Sequence, residues 1–67
     1  MNFQQELINR KQEVINFKLM GINPSNVLFW KGIYEGLGYG SINWYCGGCV
    51  NKMMNDLYDK LVELKEV

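Results

Sequence analysis

Cys46-Gly47-Gly48-Cys49 is the one stretch of this 67-residue chain whose residue types and spacing carry chemistry of their own. Two thiols three positions apart can ligate a soft metal, exchange with disulfides, or pack as small hydrophobes at a tight turn. A structural zinc site wants four ligands. The chain offers a single Cys pair and no histidine, so zinc held by Cys46 and Cys49 would have to be bridged across a dimer. Gly47 and Gly48 offer a further possibility. At a helix N-terminus their open backbone N–H groups form an anion site, and nearby aromatic rings can stack on nucleobases. These alternatives stay open on sequence alone, and no cofactor is required by any motif.

The wider element, Trp44-Tyr45-Cys46-Gly47-Gly48-Cys49, is superficially similar to the Trp-Cys-x-x-Cys motif of thioredoxins. It departs from that pattern at Tyr45, which separates the tryptophan from the first cysteine. The βαβ context that motif needs is absent, and the sole proline, Pro24, reads as a helix start.

No other catalytic constellation is visible. Without histidine there is no histidine base and no Ser-His or Cys-His pair. The carboxylates Glu6, Glu13, Asp56, Asp59, Glu63 and Glu66 fall mainly on polar helix faces. Glu35 alone lies amid apolar residues, where burial would raise its pKa. The expectation is a protein that is not an enzyme.

Around the cysteines the composition changes. All 7 glycines lie between Gly21 and Gly48, and the run from Gly36 to Asn51 carries no charged residue. Aromatics crowd the same region, at Phe29, Trp30, Tyr34, Tyr39, Trp44 and Tyr45. Charge depletion with aromatic enrichment is the signature of interface cores. Trp30, Tyr34, Tyr39, Trp44, Tyr45, Gly47 and Gly48 are therefore the candidate binding or interface residues. The competing interpretation is that large side chains simply fill the core of a very small domain.

Helices must position this segment. Phe3, Leu7, Val14 and Phe17, flanked by Ile8, Ile15 and Leu19, predict a first helix over residues 2–20 with an apolar face broad enough for two neighbours. Glu6 and Arg10 are spaced to pair on its surface, and Gly21 is its stop. Asn23 as cap and Pro24 at the first position open a short second helix, to about Leu37. Val27, Trp30, Ile33, Tyr34 and Leu37 share one of its faces. Gly32 and Gly36, four apart, allow close helix approach. Residues 38–46 read as a loop, with a strand over Ile42 to Tyr45 as the alternative. The last helix spans residues 47–66, its seam Val50, Met54, Leu57, Leu61 and Leu64, widened by Met53, Tyr58 and Val62. Asp56 and Lys60 are spaced to pair on it.

The fold class expected is thus all-α, one domain over residues 1–67, a bundle of two or three helices around a Gly/aromatic-rich middle. A domain this small buries only about 60% of its unfolded surface, and one small core supplies about 3–5 kcal/mol. Self-association into a homodimer or higher homo-oligomer is expected to add stability. Seven basic and seven acidic residues cancel, which argues against nucleic-acid binding. The N-terminus lacks a signal-peptide pattern and no stretch reaches membrane-spanning length, so the expected location is cytoplasmic, with no membrane partner.

The C-terminal half, residues 30–64, resembles the small open reading frames common in bacteriophages of gut and related bacteria. Those chains pair a Tyr-bearing helix with a turn, a Cys-x-x-Cys and a Leu-rich closing helix. The matching residues are Tyr34, Cys46, Cys49, Leu57 and Leu61. The resemblance implies an accessory protein in the host-cell cytoplasm and transfers no functional residue. The expected function is non-catalytic binding: a phage-encoded inhibitor docking a host defence protein. The alternatives are an oligomeric sponge for a nucleotide-like small molecule, or a zinc- or disulfide-bridged structural dimer.

Overall fold

Asn2 opens the first helix by accepting the Gln5 N–H on its side-chain oxygen at 3.1 Å, a cap that satisfies one of the orphan donors of the first turn. The computed structural model describes residues 2–43 and 45–67. Among these the chain forms four helices and no strand: α1 (Phe3–Asn9), α2 (Lys11–Met20), α3 (Val27–Gly36) and α4 (Gly47–Glu63). The fold is all-α, as the periodicity predicts, but with four helices rather than two or three. The alternative of a strand over Ile42 to Tyr45 does not form at its described residues, and Trp44 lies outside them.

The additional helix comes from a break in the first predicted one. Arg10, at φ −115° and ψ 22°, leaves the helical region and is at once the C-cap of α1 and the N-cap of α2. Leu7 on one side and Val14 on the other are both fully buried. The bend lets α1 lie against α3 while α2 runs along α4. An unbroken helix of that length would extend about 27 Å straight and could not follow both. The Arg10 guanidinium sits 4.4 Å from the centre of the Phe29 ring, a cation–π contact that fastens the break to α3. Arg10 pairs with Glu13, at 4.0 Å, instead of with Glu6.

The start of α3 also differs from expectation. Its cap is Asn26, whose side chain accepts the Phe29 N–H at 3.1 Å. Asn23 and Pro24 belong to the connection that precedes it. Pro24 is buried there, and Ser25 donates to Glu13 Oε1 at 3.1 Å, which ties the connection back to α2. Gly21 stops α2 at φ 70° as predicted.

The core is Leu7, Val14, Trp30, Ile33, Tyr34, Met53, Met54, Leu57 and Leu61. Three residues of the predicted α4 seam, Met54, Leu57 and Leu61, are fully buried within the single chain. Val50 packs against the core from its edge, while Val62 is half exposed. Gly36 serves close approach: a Cβ there would run into the Phe3 ring of α1, whereas a Cβ on Gly32 would meet open space. The last helix ends at Glu63, short of the predicted Glu66. Lys65 takes φ 61°, and Lys65 N and Glu66 N donate back to Val62 O at 3.0 Å and Leu61 O at 2.9 Å. This is the Schellman closure. Lys11 Nζ then holds the Glu66 carbonyl at 3.1 Å. No helix among the described residues is long and apolar enough to cross a membrane.

Candidate functional site

The Cys46-Gly47-Gly48-Cys49 element forms the N-cap and first turn of α4. Cys46 is its N-cap: the thiol sulfur accepts the Cys49 N–H at 3.3 Å, and the Cys46 carbonyl accepts the Val50 N–H at 3.0 Å. Gly47 and Gly48 are the first two helical residues, both exposed, with open space where side chains would stand. Both cysteines are free thiols and half-buried. The Cys49 thiol and backbone amide turned toward Cys46 lower the Cys46 pKa. The Cys49 pKa is raised, first by that same contact with Cys46 and then by burial. Among the described residues no three His, Cys, Asp or Glu side chains cluster to hold a metal, so the pair offers two ligands from one chain.

One side of this turn faces α3. The Tyr34 hydroxyl donates to Asp56 Oδ2 at 2.6 Å, and Lys52 Nζ reaches the same oxygen at 2.8 Å and the Tyr34 oxygen at 3.3 Å. Lys52 and Tyr34 hold the Asp56 carboxyl below its ordinary range. Hydrogen bonding to Asp56 and Tyr34 raises Lys52. Burial, and then the bond to Asp56, raises the Tyr34 phenol. Tyr39 folds back from the loop and stacks on Tyr34, centroids 4.7 Å apart and planes 8° from parallel. Tyr34, Tyr39, Asn43, Cys49 and Lys52 line, with Ser41 and Ile42, a cavity of about 300 Å³.

The other side faces the α2–α3 connection. Here a larger cavity, about 440 Å³, is lined by Asn23, Pro24, Val27, Tyr45, Gly47, Val50 and Asn51. None of these carries a charge. Tyr45 stands at its wall 76% exposed.

The candidate residues thus separate into three groups. Trp30 is completely buried in the core. Tyr34 and Tyr39 border the smaller cavity; Tyr45 and Gly47 border the larger. Trp44 lies outside the described residues. Sequence reasoning missed Lys52 and Asp56 as a pair, assigning Asp56 to Lys60 instead; Lys60 is bound to Glu63 at 3.6 Å. The four-residue spacing of Lys52 and Asp56 was the available signal. It also missed Pro24, Val27 and Asn51 as partners of Tyr45, since only the fold brings residues 23–27 beside residues 45–51. Glu35 is exposed and ion-paired with Lys31.

No family model matches the chain, and no curated protein or solved structure is significantly similar to it.

Proposed function

We propose that this chain is a non-catalytic binding protein that seats a protein partner in the uncharged groove between the α2–α3 connection and the first turn of α4. The observation that carries this reading is the exposure of Tyr45 on a wholly uncharged wall. A large aromatic ring beside Pro24, Val27 and Val50 is the composition of an interface centre. The amides of Asn23 and Asn51 provide the polar rim that fixes orientation. The phage resemblance supplies the setting: an inhibitor of a host protein in the host cytoplasm. Self-association belongs to the same proposal, supported by Leu19, Met20 and Ile22, three large apolar residues exposed together at the end of α2 and just beyond it.

The test begins with capture from a host lysate and ends with the captured protein purified and titrated against the chain. Val27→Glu should weaken that complex at least about tenfold, because a carboxylate would be desolvated in an apolar contact. Val62→Glu, on the exposed side of α4 away from the groove, should leave it unchanged. Equal binding by wild type and the Val27 variant would place the contact elsewhere and sink the reading.

A second reading is favoured by the smaller cavity. Tyr39 offers a ring, Lys52 a cation, and Ser41 and Asn43 hydrogen-bonding groups, which suit a planar anion such as a nucleotide-like signal. A rise in melting temperature with one member of a nucleotide panel, lost in Lys52→Ala, would support it. No shift with any member would leave the protein-binding reading alone.

A further inference from the structure

The geometry of the first turn of α4 carries chemistry that partner binding does not use. Cys46 lies just outside the helix and Cys49 three residues along, within its first turn. Cα atoms three residues apart along a helical turn, with about 1.5 Å rise per residue and about 2.3 Å radius, stand about 5 Å apart, inside the roughly 4.4–6.8 Å that a disulfide bridges between Cα atoms. The 3.3 Å bond from Cys49 N–H to the Cys46 sulfur shows that sulfur already turned back over the turn toward Cys49. The two residues between them have no side chains, and open space lies beside both. Cys46 itself is half-buried, and neither Gly47 nor Gly48 sets a side chain over it. Cys49 instead faces inward, on the wall of the cavity shared with Tyr34, Tyr39 and Lys52.

We propose that Cys46 and Cys49 are a thiol–disulfide exchange site, Cys46 attacking and Cys49 resolving, which closes to an intrachain disulfide at the expense of a low-molecular-weight disulfide. The Cys46 thiol gives its proton to solvent, and its thiolate attacks one sulfur of R–S–S–R. A bond forms between the Cys46 sulfur and that sulfur, the S–S bond of R–S–S–R breaks, and R–S⁻ leaves and takes up a proton, so that Cys46 carries the mixed disulfide. Cys49 then loses its proton to solvent and attacks the Cys46 sulfur. The Cys46–Cys49 bond forms, the S–S bond of the mixed disulfide breaks, and the second R–S⁻ leaves and is protonated. The two thiols of the chain give up two electrons, and one disulfide becomes two thiols. The assignment of roles follows from position. A sulfur that accepts a first-turn N–H at a helix N-terminus is stabilised as thiolate. Of the two it is Cys46 that takes such a bond, from the Cys49 N–H at 3.3 Å, whereas the backbone contact of the Cys49 sulfur is with Asn43, outside the helix. The Cys46 pKa, lowered by its contacts with Cys49, agrees. The exchange is stoichiometric, and it stands apart from the protein-binding reading.

The experiment uses the reduced full chain with oxidised glutathione at neutral pH, quenched in acid and read by intact mass. Wild type should end lighter by two hydrogens, with no retained glutathione and with Cys46 joined to Cys49 in its peptide map. Cys49→Ser should hold one glutathione, trapped at Cys46. Cys46→Ser should react roughly tenfold more slowly, because its remaining thiol is the less ionised. The serine oxygen can still accept the capping bond. Limiting alkylation of wild type needs no variant, and should label Cys46 ahead of Cys49. A stable glutathione adduct on wild type, a disulfide-linked dimer, or first labelling at Cys49 would each overturn the proposal.

Discussion

The Tyr34 hydroxyl reaches across from α3 to donate to Asp56 on α4 at 2.6 Å. This bond, with that from Lys52 Nζ to the Tyr34 oxygen at 3.3 Å, joins the two helices beside the smaller cavity. Lys52, one turn before Asp56, completes the set at 2.8 Å. A buried phenol is thereby provided with a partner, as burial of its polar end requires. The ring of Tyr34 is at the same time fixed as the platform on which Tyr39 stacks.

Removing that hydroxyl should cost about 1 kcal/mol, the usual net value of one hydrogen bond. Tyr34→Phe is therefore expected to melt roughly 4–8 °C lower than wild type. The pair also fixes a direction for acid sensitivity. Lys52 and Tyr34 depress Asp56 below its ordinary value of 3.8. A depressed carboxyl contributes stability that is present above 3.8 and is lost as pH falls from there through the lower folded value. Melting curves taken from neutrality to about pH 2 should show this loss, with a shallower slope in Tyr34→Phe. An equal slope in both proteins would mean that the bond does not govern Asp56.

What could be read from sequence was whatever depends on local period. The α4 seam and the shared face of Trp30, Ile33 and Tyr34 follow from three- and four-residue spacing, and the structure buries that face and the middle of the seam, Met54, Leu57 and Leu61. The break at Arg10 could not be read. Neither glycine nor proline marks it, and its cause is tertiary: α1 and α2 pack on different partners. Only the breadth of the apolar stripe, from Leu7 and Ile8 to Ile15 and Leu19, hinted at two directions. The Tyr34–Asp56 bond and the groove around Tyr45 were invisible for the same reason. Each joins residues far apart in the chain, and Lys52–Asp56 has the less favourable order for a helix pair, so it attracted no notice.

The start of α3 gives a prediction that separates two asparagines three residues apart. Asn26 accepts the Phe29 N–H; Asn23 lies in the preceding connection. Asn26→Ala should destabilise by about 1 kcal/mol, the typical loss of such a cap. Asn23→Ala should stay within about 0.5 kcal/mol of wild type. Chemical denaturation of both variants decides it, and a larger loss at Asn23 would restore the cap to the position the Asn-Pro pattern suggested.

Gly32 and Gly36 should respond to alanine in opposite ways. Both sit in α3, where replacing glycine gains roughly 0.5–1 kcal/mol of helix propensity. Open space surrounds the Gly32 position, so Gly32→Ala should keep that gain. At Gly36 the new methyl group would meet the Phe3 ring, and forced overpacking costs about 1–3 kcal/mol. Gly36→Ala should therefore destabilise the fold. In a Phe3→Ala background the same change should become neutral or favourable, because the obstacle is gone. Persistence of the penalty there would show that Phe3 is not its source.

Trp30 and Leu57 are both fully buried, yet their substitution should not cost the same. Leu57→Ala opens a cavity at the centre of the bundle, for about 2–5 kcal/mol. A core of this size supplies only about 3–5 kcal/mol, so that variant should be largely unfolded at room temperature. Trp30 differs because its Nε1 is buried and, among the described residues, has no hydrogen-bond partner. An unpartnered buried N–H already costs the native state about 1–3 kcal/mol. Trp30→Phe removes that cost along with some ring contact, two effects of opposite sign and similar size. It should fall within about 1 kcal/mol of wild type, measured by urea unfolding. A loss as large as that of Leu57→Ala would mean that the indole N–H has a partner after all, and that Trp30 does more than fill space.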